Sequence, residues 1–100
     1  MHAVRILQHC VAGNLGCWIG GKFETGIGRI ANLRYAACLP LATAHDLSPS
    51  SRYFHEDIVL NPLTMDPDGH IAIGAAPPVE LDEDCISRLT EHVEILEPGK

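Results

Sequence analysis

The segment Gly20-Gly21-Lys22-Phe23-Glu24-Thr25-Gly26-Ile27-Gly28-Arg29 gathers the residue types that do chemistry. Glycines let a ligand come close to backbone amides, and a carboxylate stands among cations. The segment joins a short apolar run, 15–19, to a helical pattern. That strand-to-helix junction is where α/β folds place their ligand sites. Gly16 to Lys22 satisfies the phosphate-loop spacing G-x-x-x-x-G-K, but the next residue is Phe23 where a Ser or Thr must hold magnesium. Trp18 and Ile19 would also crowd the phosphate, so the nucleotide reading fails. Glu24 admits two readings. It is either a carboxylate at the mouth of a barrel-type strand, suited to acid, base or binding work, or a helix-start carboxylate capping amides before Gly26.

His45-Asp46 ends the next apolar run, yet adjacent strand residues point to opposite faces and do not share a site. His55-Glu56-Asp57 lacks the second histidine at i+4 that a zinc helix needs. The remaining His and Cys residues show no metal-ligand spacing, so no metal site is expected from this chain's own residues. Cys17 and Cys38 lie in apolar runs and are expected to be inert core thiols. Trp18, Phe23, Tyr35 and Phe54 are likewise expected in the core.

These residues need elements to hold them. Val4, Leu7 and Val11 fall at helical spacing, predicting an amphipathic helix over 2–12 that Gly13-Asn14 stops. Residues 15–19 read as a buried strand, 26–39 as a helix ended by Pro40, and 41–44 as a second strand. Helix, strand, helix, strand is the rhythm of parallel α/β architecture. Asp66-Pro67-Asp68-Gly69 predicts a hairpin turn between 63–65 and 70–73. Asp82 is placed to cap a helix reaching Glu91, and 93–96 reads as a last strand.

Hydrophobic residues make up 46% of the 100 and charged residues 20%, a globular composition. Seven Lys and Arg against thirteen Asp and Glu give a formal net charge of -6, which excludes a counterion-releasing binder of nucleic acid or anionic lipid. No apolar run approaches the ~18 residues of a membrane span, and the start of the chain lacks a secretory signal pattern. The expectation is a cytoplasmic chain with its four cysteines reduced.

The block Cys17-Trp18-Ile19-Gly20-Gly21-Lys22-Phe23-Glu24-Thr25-Gly26-Ile27-Gly28-Arg29 resembles the seventh-strand signature of one branch of the enolase superfamily, the o-succinylbenzoate synthases and N-acylamino acid racemases. The likeness continues through Ala31-Asn32-Leu33 and through Asp46-Leu47-Ser48-Pro49-Ser50-Ser51-Arg52-Tyr53-Phe54 to Glu56-Asp57-Ile58. It resumes at Asp68-Gly69-His70-Ile71-Ala72-Ile73 and Val79-Glu80-Leu81-Asp82-Glu83-Asp84. The resemblance implies an α/β chain, the C-terminal fragment of a (β/α)7β TIM-like barrel with the segment that returns to a capping domain. Residues 1–48 would be the last helices and strands, and 49–100 the returning hairpin and short helix. A whole barrel takes ~250 residues.

In that family two lysines exchange the proton α to a carboxylate, and three acidic residues hold Mg2+. By the same resemblance all of these precede the matched part, so neither a catalytic residue nor a metal ligand is expected here. Lys22 stands where the family has an apolar residue, often methionine, and matches neither lysine; Lys100 lies beyond any barrel strand. The turn after Ile73, Gly74-Ala75-Ala76-Pro77-Pro78, is about two residues shorter than the family's. What carries over is a substrate-pocket set: Gly20 and Gly21 as pocket backbone, Glu24 at the seventh-strand end, Asp46 and Ser48 at the eighth. The implied partner is a small carboxylate substrate, bound only when an N-terminal part completes the barrel; the family is usually homo-oligomeric. Two functions stay open, a fragment of such a lyase or isomerase that is inert by itself, and a non-catalytic remnant or interaction module. Either way two barrel strands without neighbours are expected to leave the chain aggregating, oligomeric or molten.

Overall fold

A computed structural model of the chain describes residues 2–40, 43–73 and 78–99. Helix α1 spans His2–Ala12, as the apolar spacing predicts, with Leu7 as its buried contact. It ends where Asn14 turns left-handed at φ 51° and Leu15 N–H donates to Cys10 C=O at 2.8 Å. Helix α2 spans Gly26–Ala36, three residues short of the predicted end. Its last turn tightens, with Cys38 N–H donating to Tyr35 C=O and Leu39 N–H to Ala36 C=O, each at 3.0 Å. A 3-10 turn covers Ser50–Arg52, and α3 spans Glu83–Leu89. Asp82 caps α3 as predicted, its Oδ1 accepting Cys85 N–H at 2.9 Å, but the helix stops before Glu91.

The predicted strands are not continuous. Among the described residues pairing reduces to three isolated bridges: Gly20 with Asp46 in parallel, Val59 with Leu81 and Met65 with Ile71 antiparallel. A ladder grows only where both backbones find partners over several residues, and each of these segments meets its neighbour at one place. The parallel sense of the 15–21 and 43–48 segments agrees with the α/β reading; residues 41 and 42 of the second strand lie outside the described residues. So do Gly74 to Pro77 of the shortened turn and Lys100. The Asp66–Gly69 turn is present, with Gly69 at φ 85° and Asp66 N–H donating to His70 C=O at 2.9 Å. Residues 93–96 form no strand, and Ile95 is 88% exposed.

The core is small: Leu7, Leu33, Ala36, Leu39, Val59 and Cys85. The aromatic expectation is corrected here. Trp18 is 61% and Phe23 75% exposed, Phe54 is exposed too, and Tyr35 is half-buried. Cys38 is exposed and Cys17 half-buried, so neither is a core thiol; Cys85 is the buried one. Two short helices over two unladdered segments have too little inner surface to cover these rings. The radius of gyration is 16.2 Å, against about 13 Å for a compact chain of this length. Among the described residues no helix is long and apolar enough to cross a membrane.

Candidate functional site

The two extended segments run side by side and end together. Asp46 N–H donates to Ile19 C=O at 3.0 Å, and Gly21 N–H donates to Asp46 C=O at 2.8 Å. Ile19 N–H donates to His45 Nδ1 at 3.0 Å, so an imidazole takes the place of a ladder carbonyl. His45 thus faces inward while Asp46 is exposed, and the two side chains do not form one site. This pairing sets Gly20 and Gly21 beside Asp46.

A Cβ on Gly20 would meet the Trp18 ring at 3.2 Å. One on Gly21 would meet Asp46 O and Leu47 Cδ2 at 3.4 Å and Glu24 Oε2 at 3.5 Å. In this chain both glycines therefore admit its own neighbours closely.

Glu24 closes its own loop. Its Oε2 accepts Lys22 N–H at 2.6 Å, and Asn32 Nδ2 lies 3.5 Å from Oε1. It does not cap α2, the amide of whose first residue goes elsewhere: Gly26 N–H donates to Asp57 Oδ1 at 2.9 Å. Asp57 also accepts Val59 N–H at 3.2 Å and the Ser50 hydroxyl. Thr25, the local N-cap residue, makes no side-chain capping bond.

Arg29, 3% exposed, ties the remaining pieces together. Nε–H donates to Glu24 C=O at 2.7 Å and Nη2–H to Lys22 C=O at 3.0 Å. Nη1–H donates to Ser48 C=O at 2.5 Å, with Ser48 Oγ at 3.4 Å. The guanidinium sits over the Tyr53 ring at 5.2 Å, and Tyr53 meets Phe23 edge-on at 4.9 Å and 84°. So Gly20, Gly21, Glu24, Asp46 and Ser48 are gathered at one end of the paired segments. Arg29 and Asp57, which hold that end, were not singled out by motif reasoning. The signal for Arg29 was an arginine at helical spacing from apolar Leu33 and Ala36, a position that buries it.

The larger grooves lie elsewhere. One of about 580 Å³ runs between α1 and α2, lined by Val4, Leu7, Val11 and Tyr35 among others. Another of about 440 Å³ includes Leu39, His45, Leu47, Asp68 and His70. Neither is lined by the five gathered residues.

Burial, and then the neighbouring Cys10 thiol, push the Cys17 thiol above its ordinary value, so it is a poor nucleophile at neutral pH. Asp66, Asp68 and His70 bring ligand-type atoms within 4.8 Å of one another, all exposed. The hairpin turn accounts for that cluster, since Asp66 Oδ1 accepts His70 N–H at 2.8 Å and Oδ2 lies 3.4 Å from His70 Nδ1. At the gathered end the Glu24 carboxylate is taken by the Lys22 amide and that of Asp57 by Gly26, Val59 and Ser50, which leaves Asp46 among the described residues. That donor set does not suit Mg2+, which favours near-octahedral oxygen ligation.

No protein-family profile matches the chain. In sequence it is similar to an o-succinylbenzoate synthase of Enterococcus faecalis, 38% identical over 64 residues, 64% of this chain and 17% of the relative. The o-succinylbenzoate synthase of Bacillus subtilis is 32% identical over 95 residues, 93% of this chain and 25% of the relative. An N-succinylamino acid racemase of Amycolatopsis sp is 32% identical over 77 residues, 77% of this chain and 20% of the relative. A solved structure described as a probable mandelate racemase from Alicyclobacillus acidocaldarius superposes with TM-score 0.72 at 33% identity, over 90% of this chain and 24% of that one. An enolase-superfamily member from Listeria innocua superposes with TM-score 0.68 at 29% identity, over 85% and 23%. The chain spans a quarter or less of the length of these curated relatives.

Proposed function

We propose that this chain is a member of the enolase superfamily, in the branch of o-succinylbenzoate synthases and N-acylamino acid racemases whose C-terminal part it matches, and that it forms the closing segment of such an enzyme's (β/α)7β barrel. The reaction of the assembled enzyme is removal of the proton α to a carboxylate, leading to dehydration or to inversion at that carbon. Lysines that move the proton and acids that hold Mg2+ belong to the preceding part of the barrel. Residues 1–48 supply the last helices and strands, and 49–100 the segment returning to the capping domain. Gly20, Gly21, Glu24, Asp46 and Ser48 line the mouth and shape the carboxylate pocket. The observation that carries this reading is the convergence of those five residues at the shared end of two parallel segments.

By itself the chain is inert, because Lys22 and Lys100 match neither proton-transfer lysine. The test follows α-proton exchange of an N-acylamino acid in D2O with Mg2+ by NMR. It compares this chain with the chain combined with a polypeptide covering the preceding three-quarters of the Bacillus subtilis relative. Exchange is expected only in the combination. Exchange by the lone chain overturns the reading.

Lys22 favours a second reading, a non-catalytic remnant or interaction module. It places an ammonium where the family is apolar, and among the described residues it makes no ion pair. Silence of the combined polypeptides selects that alternative.

A further inference from the structure

We propose that Arg29 is a positioning residue for the carboxylate pocket, setting where Glu24, Asp46 and Ser48 stand relative to one another; this rests on the reading that those residues line it. Past the Gly20–Asp46 bridge, the backbone hydrogen bonds of the described residues no longer link 22–24 to 46–48. The guanidinium supplies the link. One fork reaches the carbonyls of Lys22 and Glu24 on one loop and of Ser48 on the other. Pinning the carbonyls on either side of Phe23 fixes the turn in which Glu24 Oε2 takes the Lys22 amide.

Geometry rather than charge is what Arg29 provides. Among the described residues no carboxylate lies within ion-pair distance of it, and its partners are carbonyl dipoles and the Tyr53 ring face. A planar fork with several fixed donors satisfies three carbonyls at once, whereas a lysine ammonium on a flexible stem cannot span them. The arginine is rooted on the first turn of α2, where its own amide donates to Thr25 C=O at 3.1 Å. The helix that Asp57 anchors thereby carries the clamp.

The test is hydrogen exchange, read peptide by peptide, of the full chain as Arg29→Lys and Arg29→Gln, with exposed Arg52→Gln as control. Both Arg29 variants are expected to speed exchange in 19–24 and 45–48 about tenfold or more, while 83–89 keeps its rate and Arg52→Gln changes neither. An Arg29→Lys variant that exchanges like the unmodified chain overturns the proposal, since charge would then suffice. So does loss of protection that spreads equally to 83–89, which marks a general folding residue. Absence of protection in 19–24 and 45–48 of the unmodified chain overturns it as well. In the combined enzyme the same variants lower kcat more than they raise KM. If the combination is inactive with unmodified chain, the functional reading fails, and the exchange rates still decide the role of Arg29.

Discussion

Asp57 caps a helix that begins 31 residues before it: its Oδ1 accepts the Gly26 amide at 2.9 Å, while Oδ2 holds the buried Ser50 hydroxyl. The returning half of the chain therefore finishes a helix of the first half, which has no side-chain cap of its own. Loss of an N-cap costs about 1 kcal/mol, and a buried hydroxyl left without its partner costs about 1–3 kcal/mol. Asp57→Ala is expected to lower the urea midpoint of the far-ultraviolet helix signal by about 2 kcal/mol in equivalent free energy. Asp57→Asn should lose less, because its amide oxygen still accepts from Gly26 and Val59. Equal midpoints for Asp57→Ala and the unmodified chain would show that the cap is ornamental.

Gly26 gives the opposite sign to helix propensity. Alanine is favoured over glycine inside a helix by about 1 kcal/mol. At Gly26, however, a Cβ would fall on Val59 Cγ2, closer than any van der Waals contact, and lie 3.0 Å from both Asp57 carboxylate oxygens. Val59 is 4% exposed and has little room to withdraw. Gly26→Ala is thus expected to destabilise by about 1–3 kcal/mol, as overpacking does. The double variant Gly26→Ala/Val59→Ala should be more stable than the sum of the single changes predicts. Thermal midpoints of the four proteins measure this, and additive effects refute it.

What was legible in the sequence is what depends on near neighbours. The 3.6-residue spacing of Val4, Leu7 and Val11, the Asp66–Gly69 turn and the Asp82 cap each involve residues a few positions apart. The family pattern named Gly20, Gly21, Glu24, Asp46 and Ser48; the fold sets them at one end, while the pocket role proposed for them rests on the resemblance. Strand extent was not legible. Apolar runs such as 15–19 and 93–96 say which residues seek cover, and pairing depends on whether another backbone is there to supply it. The exposed Trp18 and Phe23 rings are the same failure seen from the side chains. Asp57 was read against a zinc spacing and as part of the family likeness, with no role given to it, and its bond to Gly26 crosses a separation that no local pattern encodes.

Acid should loosen the docking of α3. Arg88 donates twice to Glu56, at 2.7 Å to each oxygen, and this hydrogen bonding holds the Glu56 carboxyl below its ordinary 4.5. Asp66 is held below its ordinary 3.8 in the same way, first by the His70 amide. A carboxyl depressed by folding contributes stability that is full above its unfolded pKa and lost as pH falls through the folded one. Both pairs are exposed, so the contribution is small and weakens with salt. Carboxyl carbon shifts in an NMR titration should show Glu56 titrating below 4.5, and Arg88→Met should return it there. An unchanged Glu56 titration in that variant excludes the ion pair as the cause.

The chain purified by itself is expected to self-associate. Among the described residues no side chain is more than 98% buried, while Leu15, Trp18, Phe23, Ile95 and Leu96 present large apolar surface to water. Contiguous apolar patches on a soluble monomer are normally limited to a few hundred Å². The paired segments add a second cause, since among the described residues one bridge satisfies one side of each and leaves outer edges open to another backbone. Sedimentation velocity should therefore show species larger than 10.8 kDa whose proportion rises with concentration. Trp18→Lys, which places a charge on the exposed apolar stretch, should shift the distribution toward monomer and leave α3 intact. A monomer with a sharp, well-dispersed amide spectrum would mean that these faces are satisfied within the chain, and that it does not depend on a larger barrel to cover them.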